Sequence, residues 1–306
     1  MDGEELTAQQ TALYDRQIRV WGVDAQKRLS KAQILVSGLN GTSVEFCKNI
    51  VLAGVGSLTL MDDRLVTEDA LQANFLIPRD ETVYSGRSLS ELCCESLRDF
   101  NPMVRVLAEK GDLAQCEMEF LDKFDVVVVT GCSLKTKIEI NEKCRKRAKR
   151  IAFYAIECRD SCGEIFVDLQ NYTYAQDAIL LPWRNLPRKV SKLYFAMRVI
   201  EKFELSEGRN PGELSNFDLP AVLKLRKELC DAQSLNESHV PETLLERILV
   251  AGPMLYPPVC PILGGILGQE VIKAISGKGD PLKNFFYFDA ADGKGVIEDI
   301  SNPSSI

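Results

Sequence analysis

QILVSGLNGTSVEFCKNIVLAGVGSLTLMDDR, residues Gln33 to Arg64, decides how the rest of the chain is read. The apolar run Ile34 to Val36 meets a glycine-bearing turn at Gly38 and Gly41. Val44, Cys47, Ile50, Val51 and Ala53 then recur at helical spacing, and a second apolar run follows from Leu58 to Met61. The order is strand, tight turn, helix, strand. A crossover helix leaves the two strands parallel, and right-handed crossing sets the helix N-terminus beside the end of the first strand. Free N–H groups and the positive end of the helix dipole converge there, where a phosphate could sit. Asp62 and Asp63 close the second strand at roughly the 20-residue offset where an acidic side chain takes a ribose hydroxyl. By pattern this is half of a nucleotide site.

The pattern is damaged. A full G-x-G-x-x-G places glycine at 38, 40 and 43, but the chain has Gly38, Asn40 and Ser43, with Gly41 between them. The second glycine lets backbone close on a phosphate, and a side chain at Asn40 intrudes there. The βαβ unit is therefore expected and a working phosphate cradle is not, since a fold keeps its turn after losing its ligand.

A chain of 306 residues can bury a large core, and its 45% hydrophobic and 26% charged residues are those of a globular protein. A net charge of -7 argues against nucleic acid as the main partner, because phosphate neutralisation needs a basic face. Ten cysteines without a C-x-x-C pair, and an N-terminus, MDGEELTAQQ, without an apolar signal segment, point to reduced thiols in the cytosol or nucleus. No apolar run reads as approaching the ~18 residues of a membrane span, so no membrane partner is expected.

Thr11 to Leu29, TALYDRQIRVWGVDAQKRL, reads as short helices lying on a neighbouring surface, with Arg16 and Arg19 as its notable cations. Thr67 to Arg87 has little periodicity and reads as an excursion over the sheet edge. A helix is expected over Ser88 to Asp99, a strand over Val104 to Leu107, a doubly buried strand over Phe124 to Thr130, a helix over Leu134 to Lys149 and a strand over Ile151 to Ile156. The alternation predicts an α/β, doubly wound, mostly parallel sheet. KCRKRAKR, Lys143 to Arg150, offers a nuclear-import or acid-binding patch, but cations at a helix C-terminus are the plainer explanation. Cys158 and Cys162 flank RDS past a strand end, and Cys93 and Cys94 lie in a helix; without a second pair or a nearby histidine they read as structural thiols. His239, the single histidine, lies before Pro241 with no nucleophile around it. From residue 189 to 257 the pattern is a smaller, all-helical appendage between an N-terminal part, 1–188, and a C-terminal part, 258–306. Pro261 to Ser276 reads as a helix whose Gly264, Gly265 and Gly268 allow close packing against the sheet or a partner, with Gly277 ending it. Asn284 to Asp289 and Gly295 to Ile300 read as two strands joined by a glycine turn.

Taken together, YDRQIRVWG at Tyr14 to Gly22, the βαβ unit ending in LMDD, FNPMVRV at Phe100 to Val106 and GGILGQEVIKAISGKGDPLKNFFYFD at Gly264 to Asp289 resemble the ThiF-type ubiquitin-like-protein activating enzymes, within them the non-catalytic subunits of the SUMO-activating branch in plant form. The region Asn171 to Pro187 is shorter than in that family. The resemblance implies a Rossmann-like adenylation fold that pairs face to face with a related fold, only one of the two holding ATP and magnesium. Here the matching positions of the active half are altered: the glycine loop is depleted, GRSL puts Leu89 where a phosphate-binding lysine would be, and VVTGC puts Thr130, Gly131 and Cys132 where a magnesium aspartate would be. A divalent cation needs hard oxygen donors, so no metal site is expected in this chain.

What the resemblance leaves is Arg16, which matches the D-R-Q arginine that reaches ATP in the partner subunit; Gln17 and Arg19 are weaker candidates. It further implies a large catalytic subunit as obligate partner, SUMO as the activated protein, a conjugating enzyme reached through the large subunit, and a nuclear location with the cytoplasm as a second compartment. A related subunit of the NEDD8 pathway shares the fold. A Rossmann-type NAD-dependent oxidoreductase is the alternative from another class; Asn40 and the lack of a hydride-transfer acid or base count against it, and nicotinamide fluorescence would discriminate.

Overall fold

Strands buried on both faces tend toward continuous apolar runs, as at Gln33–Ser37 (β1) and Val126–Val129 (β4); Ser57–Met61 (β2) is buried along its whole length although Ser57 and Thr59 alternate with its leucines. The computed structural model, which describes residues 5–170, 182–183, 186, 190–252 and 254–300, places them at the parallel centre of one sheet. With Arg105–Glu109 (β3), Ala152–Arg159 (β5), Cys162–Asp168 (β6), Phe285–Asp289 (β7) and Lys294–Glu298 (β8), the order is β3-β2-β1-β4-β5-β6-β7-β8. β1 to β5 run parallel, with Leu35 between Thr59 and Val127, while β5 to β8 are antiparallel neighbours. The chain order reverses between β1 and β4, so the carboxyl ends of those strands form the switch point where such sheets place ligands.

Among the described residues the α-helices are α1 Ala8–Leu13, α2 Asp15–Trp21, α3 Val23–Leu29, α4 Gly41–Ala53, α5 Glu68–Leu71, α6 Glu81–Tyr84, α7 Leu89–Phe100, α8 Leu134–Arg145, α9 Lys192–Glu207, α10 Leu219–Gln233, α11 Glu242–Ala251 and α12 Val259–Ser276. Strand alternation divides them into two layers. Ile34, Val36, Leu58, Leu60 and Val128 face α4, α7 and α12 through Val44, Ile50, Leu92, Leu97, Leu263 and Leu267. Leu35, Val127, Phe153, Phe166 and Phe285 face α8 and α9 through Ile140, Leu193, Tyr194 and Ile200. Local chemistry sets the boundaries: Ser88 and Glu91 form a capping box at α7, and Gly54 and Gly277 take the left-handed conformation after α4 and α12.

Several expectations are corrected. β6 was not foreseen: Cys158 and Cys162 do not lie beyond a strand end but bracket a tight β5–β6 hairpin, and the sheet is mixed as a result. The excursion over 67–87 contains α5 and α6, each capped at its start by Thr67 or Asp80. The helix from Leu134 stops at Arg145, and cations of the basic run Lys143 to Arg150 are absorbed by the fold: Lys143 donates to the carbonyls of Ala114 and Cys116, Arg147 pairs with Asp122, and Lys149 with Asp125. Within the helical segment 189–257, eleven residues of α9, including Leu193, Tyr194 and Ile200, are buried. Contrary to expectation, α12, with 18 residues, is long and apolar enough for a membrane span. It is nevertheless a core helix: a Cβ at Gly264 would lie 2.8 Å from Phe46 N and 2.9 Å from Thr42 O and one at Gly268 3.3 Å from Asn49 Cβ, so these two glycines serve contact with α4, while Gly265 has nothing within 4 Å. The segment Asn171 to Pro187 lies almost wholly outside the described residues.

Candidate functional site

β1 delivers the chain to Gly38, whose φ of +87° and proximity to β4 exclude a side chain: a Cβ would lie 2.3 Å from Thr130 O. Leu39 N then donates to Asp62 Oδ2 at 2.7 Å. Asn40 is the N-cap of α4, its Oδ1 accepting from Thr42 N at 3.0 Å and Ser43 N at 3.1 Å while its Nδ2 donates to Thr130 Oγ1 at 3.0 Å. Those N–H groups are the ones a nucleotide phosphate would need, so the protein supplies its own acceptor in place of an anion. Gly41 is required for packing, since a Cβ there would lie 2.6 Å from Ala73 Cβ.

Asp62 is not free for a ribose. Its carboxylate accepts from Leu39 N, from Arg64 N at 3.1 Å, from Arg64 Nε at 2.9 Å and from Arg64 Nη2 at 2.6 Å, which makes it an internal clamp on the turn. Leu89, 3% exposed, lines the adjoining cavity of about 500 Å³ with Leu39, Asn40, Gly41, Arg64 and Leu255. The cation on that wall, Arg64, is already bound to Asp62. The structure brings Gly38, Asn40, Gly41, Asp62 and Leu89 to one place, where the N–H groups and the carboxylate that a nucleotide would use are taken by Asn40 and Arg64.

Beneath the switch point lies an ionic network that sequence reading missed. Gly131 N donates to Glu157 Oε1 at 3.1 Å, and Lys137 Nζ lies 3.0 Å from both Glu157 Oε1 and Glu201 Oε1. Arg198 pairs with Glu164 at 2.6 Å and Glu201 at 2.9 Å, and Arg159 grips Glu204 through both its terminal nitrogens. Burial would lower the Lys137 pKa, but Glu157 and Glu201 outweigh it and hold the ammonium charged. Burial would likewise raise the Glu201 carboxyl, which Arg198, Lys137 and Arg159 instead hold below its usual range. Burial pushes the neighbouring Cys132 thiol up to about 12, so it is no thiolate ligand at neutral pH. The available signal was the row of charges Arg159, Glu164, Arg198, Glu201 and Glu204 on segments otherwise apolar enough for a core.

Arg16 lies elsewhere. It is exposed on α2 and makes no hydrogen bond or ion pair with any described residue, whereas Arg19 pairs with Asp15 at 2.8 Å. Gln17 Nε2 donates to Leu52 O at 3.0 Å and Gln26 Nε2 to Ala53 O at 3.0 Å, so α2 and α3 are fastened to the carboxyl end of α4. Asn40 caps the opposite end, a helix length away, about 20 Å at ~1.5 Å per residue. The free guanidinium and this chain's own glycine turn therefore belong to opposite ends of one helix.

A parallel sheet with a glycine turn at its switch point, an extended antiparallel edge and helices on both faces defines a ThiF-type adenylation fold, and the chain belongs to the ThiF family, whose model matches residues 14–303. It is 63% identical over 319 residues to SUMO-activating enzyme subunit 1A of Arabidopsis thaliana, covering 99% of each chain. It is 30% identical to SUMO-activating enzyme subunit 1 of Danio rerio over 97% of each chain, and 29% identical to that of Homo sapiens over 97% of this chain and 96% of that one. Among solved structures, PaaA matches with a TM-score of 0.62 at 13% identity, covering 99% of this chain and 77% of that one. MccB of E. coli matches with 0.61 at 14%, covering 95% and 72%.

Proposed function

We propose that this chain is the non-catalytic, adenylation-fold subunit of a heterodimeric SUMO-activating enzyme. The large subunit holds ATP and magnesium, adenylates the SUMO C-terminus, carries the thioester cysteine and hands SUMO to the conjugating enzyme; this chain completes the dimer, lends Arg16 and is inactive alone. One observation carries the proposal: the chain's own helix terminus is closed by Asn40 while Arg16, at the far end of α4, is exposed and engaged by no described residue. The full-length likeness to proteins named as subunits of SUMO-activating enzymes supports it. A guanidinium suits the task because it keeps its charge and offers two prongs to phosphate oxygens. The nucleus is the proposed location, with the cytoplasm second.

The test mixes the purified chain with candidate large subunits, follows complex formation by size, and measures SUMO-dependent ATP–pyrophosphate exchange. Exchange should require both subunits. Robust exchange by the chain alone, or a failure to form a complex with a SUMO-activating large subunit, would overturn the proposal.

A further inference from the structure

Three successive carbonyls at the end of α4, those of Val51, Leu52 and Ala53, accept from side-chain amides of residues distant in sequence: Asn101, Gln17 and Gln26. The last carbonyls of a helix lack intrahelical partners, and amides are suited to them because they donate without bringing a charge. Asn101 does more than cap. Its Nδ2 lies 2.8 Å from Val51 O and 2.9 Å from the hydroxyl of Tyr14, which accepts from it, and its Oδ1 accepts from Met103 N at 3.1 Å. Tyr14 is 2% exposed and lies two residues before Arg16. Its ring rests on Gly54 so closely that a Cβ there would approach Cζ to 2.3 Å. Gln26 is held in turn by Trp21 Nε1 at 3.0 Å.

We propose that Tyr14 and Gln17 are positioning residues for Arg16: together they fix α2 on the carboxyl end of α4, so that the guanidinium leaves this fold in a set direction toward a phosphate held by another subunit. The inference rests on the trans role given to Arg16 above. Tyr14 anchors the first residue of the turn into α2, and Gln17 anchors the helix one residue past Arg16, so the arginine backbone is held on both sides. Exposure then costs the arginine little precision: only its own side chain is left to rotate. Two of the stretches that carry the family resemblance, YDRQ and FNP, meet in the Tyr14–Asn101 hydrogen bond.

The test uses the heterodimer with its large subunit, MgATP and SUMO, reading single-turnover adenylate formation at saturating ATP. Gln17→Met keeps the length of the side chain and loses the donor; Tyr14→Phe loses only the hydroxyl. Each should slow adenylation by about tenfold, since small misplacements of a group acting on a transition state cost on the order of ten- to a hundredfold. The dimer dissociation constant should not change. In an Arg16→Ala background the same substitutions should slow the reaction no further, an outcome that a merely structural role would not produce. Equal slowing with and without Arg16, or a normal rate for Gln17→Met when Arg16→Ala is slow, overturns the inference and leaves the trans role standing. A normal rate for Arg16→Ala alone removes both.

Discussion

Replacing Lys137 with methionine should destabilise this protein by about 3–5 kcal/mol at pH 7, the cost of leaving buried carboxylates without their cation. The structure fixes the balance. Lys137, Arg159 and Arg198 face Glu157, Glu164, Glu201 and Glu204, and loss of Lys137 leaves two cations against four carboxylates. Methionine retains the apolar stem, so packing is largely preserved. In a chain of this length each kcal/mol moves Tm by roughly 1.5–2 °C, so calorimetry should record a fall of about 5–10 °C. Glu157→Gln added to Lys137→Met should recover part of the loss, because an amide oxygen can still accept from Gly131 N. The pH dependence has a definite sign. Glu201 has a depressed pKa in the fold, so its contribution is present above the ordinary glutamate value, about 4.3, and is lost as pH falls through the folded value. Lys137 has a raised pKa, so its contribution is present below the ordinary lysine value and is lost only as pH rises through the higher folded one. Without Lys137 the Glu201 carboxylate protonates more readily, and the deficit relative to the unsubstituted protein should shrink between pH 7 and pH 4. A deficit under about 1 kcal/mol, or one that grows on acidification, would refute the network's assigned role.

Asn40→Ala should cost about 1–2 kcal/mol through loss of the α4 cap, read by denaturant titration, and should confer no ATP binding by calorimetry on the isolated chain. An unchanged midpoint would show that the self-cap is not structural. Gly264→Ala places a methyl within 2.8 Å of Phe46 N and should cost about 1–3 kcal/mol, while Gly265→Ala, with nothing within 4 Å, should be neutral or stabilising by up to about 1 kcal/mol. Equal effects at the two positions would contradict the close approach of α12 to α4.

The βαβ unit and the central strands were legible because β-branched runs and helical spacing are local properties. β6 was not. Its Glu164 and Asp168 interrupt the apolar run, and their burial makes sense only with Arg198 and Arg145, 34 and 23 residues away in sequence. At the glycine turn the sequence showed that Asn40 intrudes, but not that its oxygen takes over the work of an anion, which needs the geometry of α4. Asp62 had the spacing of a ribose ligand, and spacing does not reveal Arg64 folding back onto it. Gln17 looked secondary to Arg16 because its partner, the Leu52 carbonyl, lies 35 residues on.

The proposed action of Arg16 is on a nucleotide held by the partner subunit. Its direct test is single-turnover adenylate formation by the heterodimer carrying Arg16→Ala, at saturating ATP and with the dimer verified by size. Loss of a charge-assisted contact to a developing phosphate charge predicts a rate about 10- to 1,000-fold lower, and Arg16→Lys should restore it only in part because an ammonium lacks the planar fork. An intact dimer with an unchanged rate would contradict the claim and reduce the chain to a scaffold.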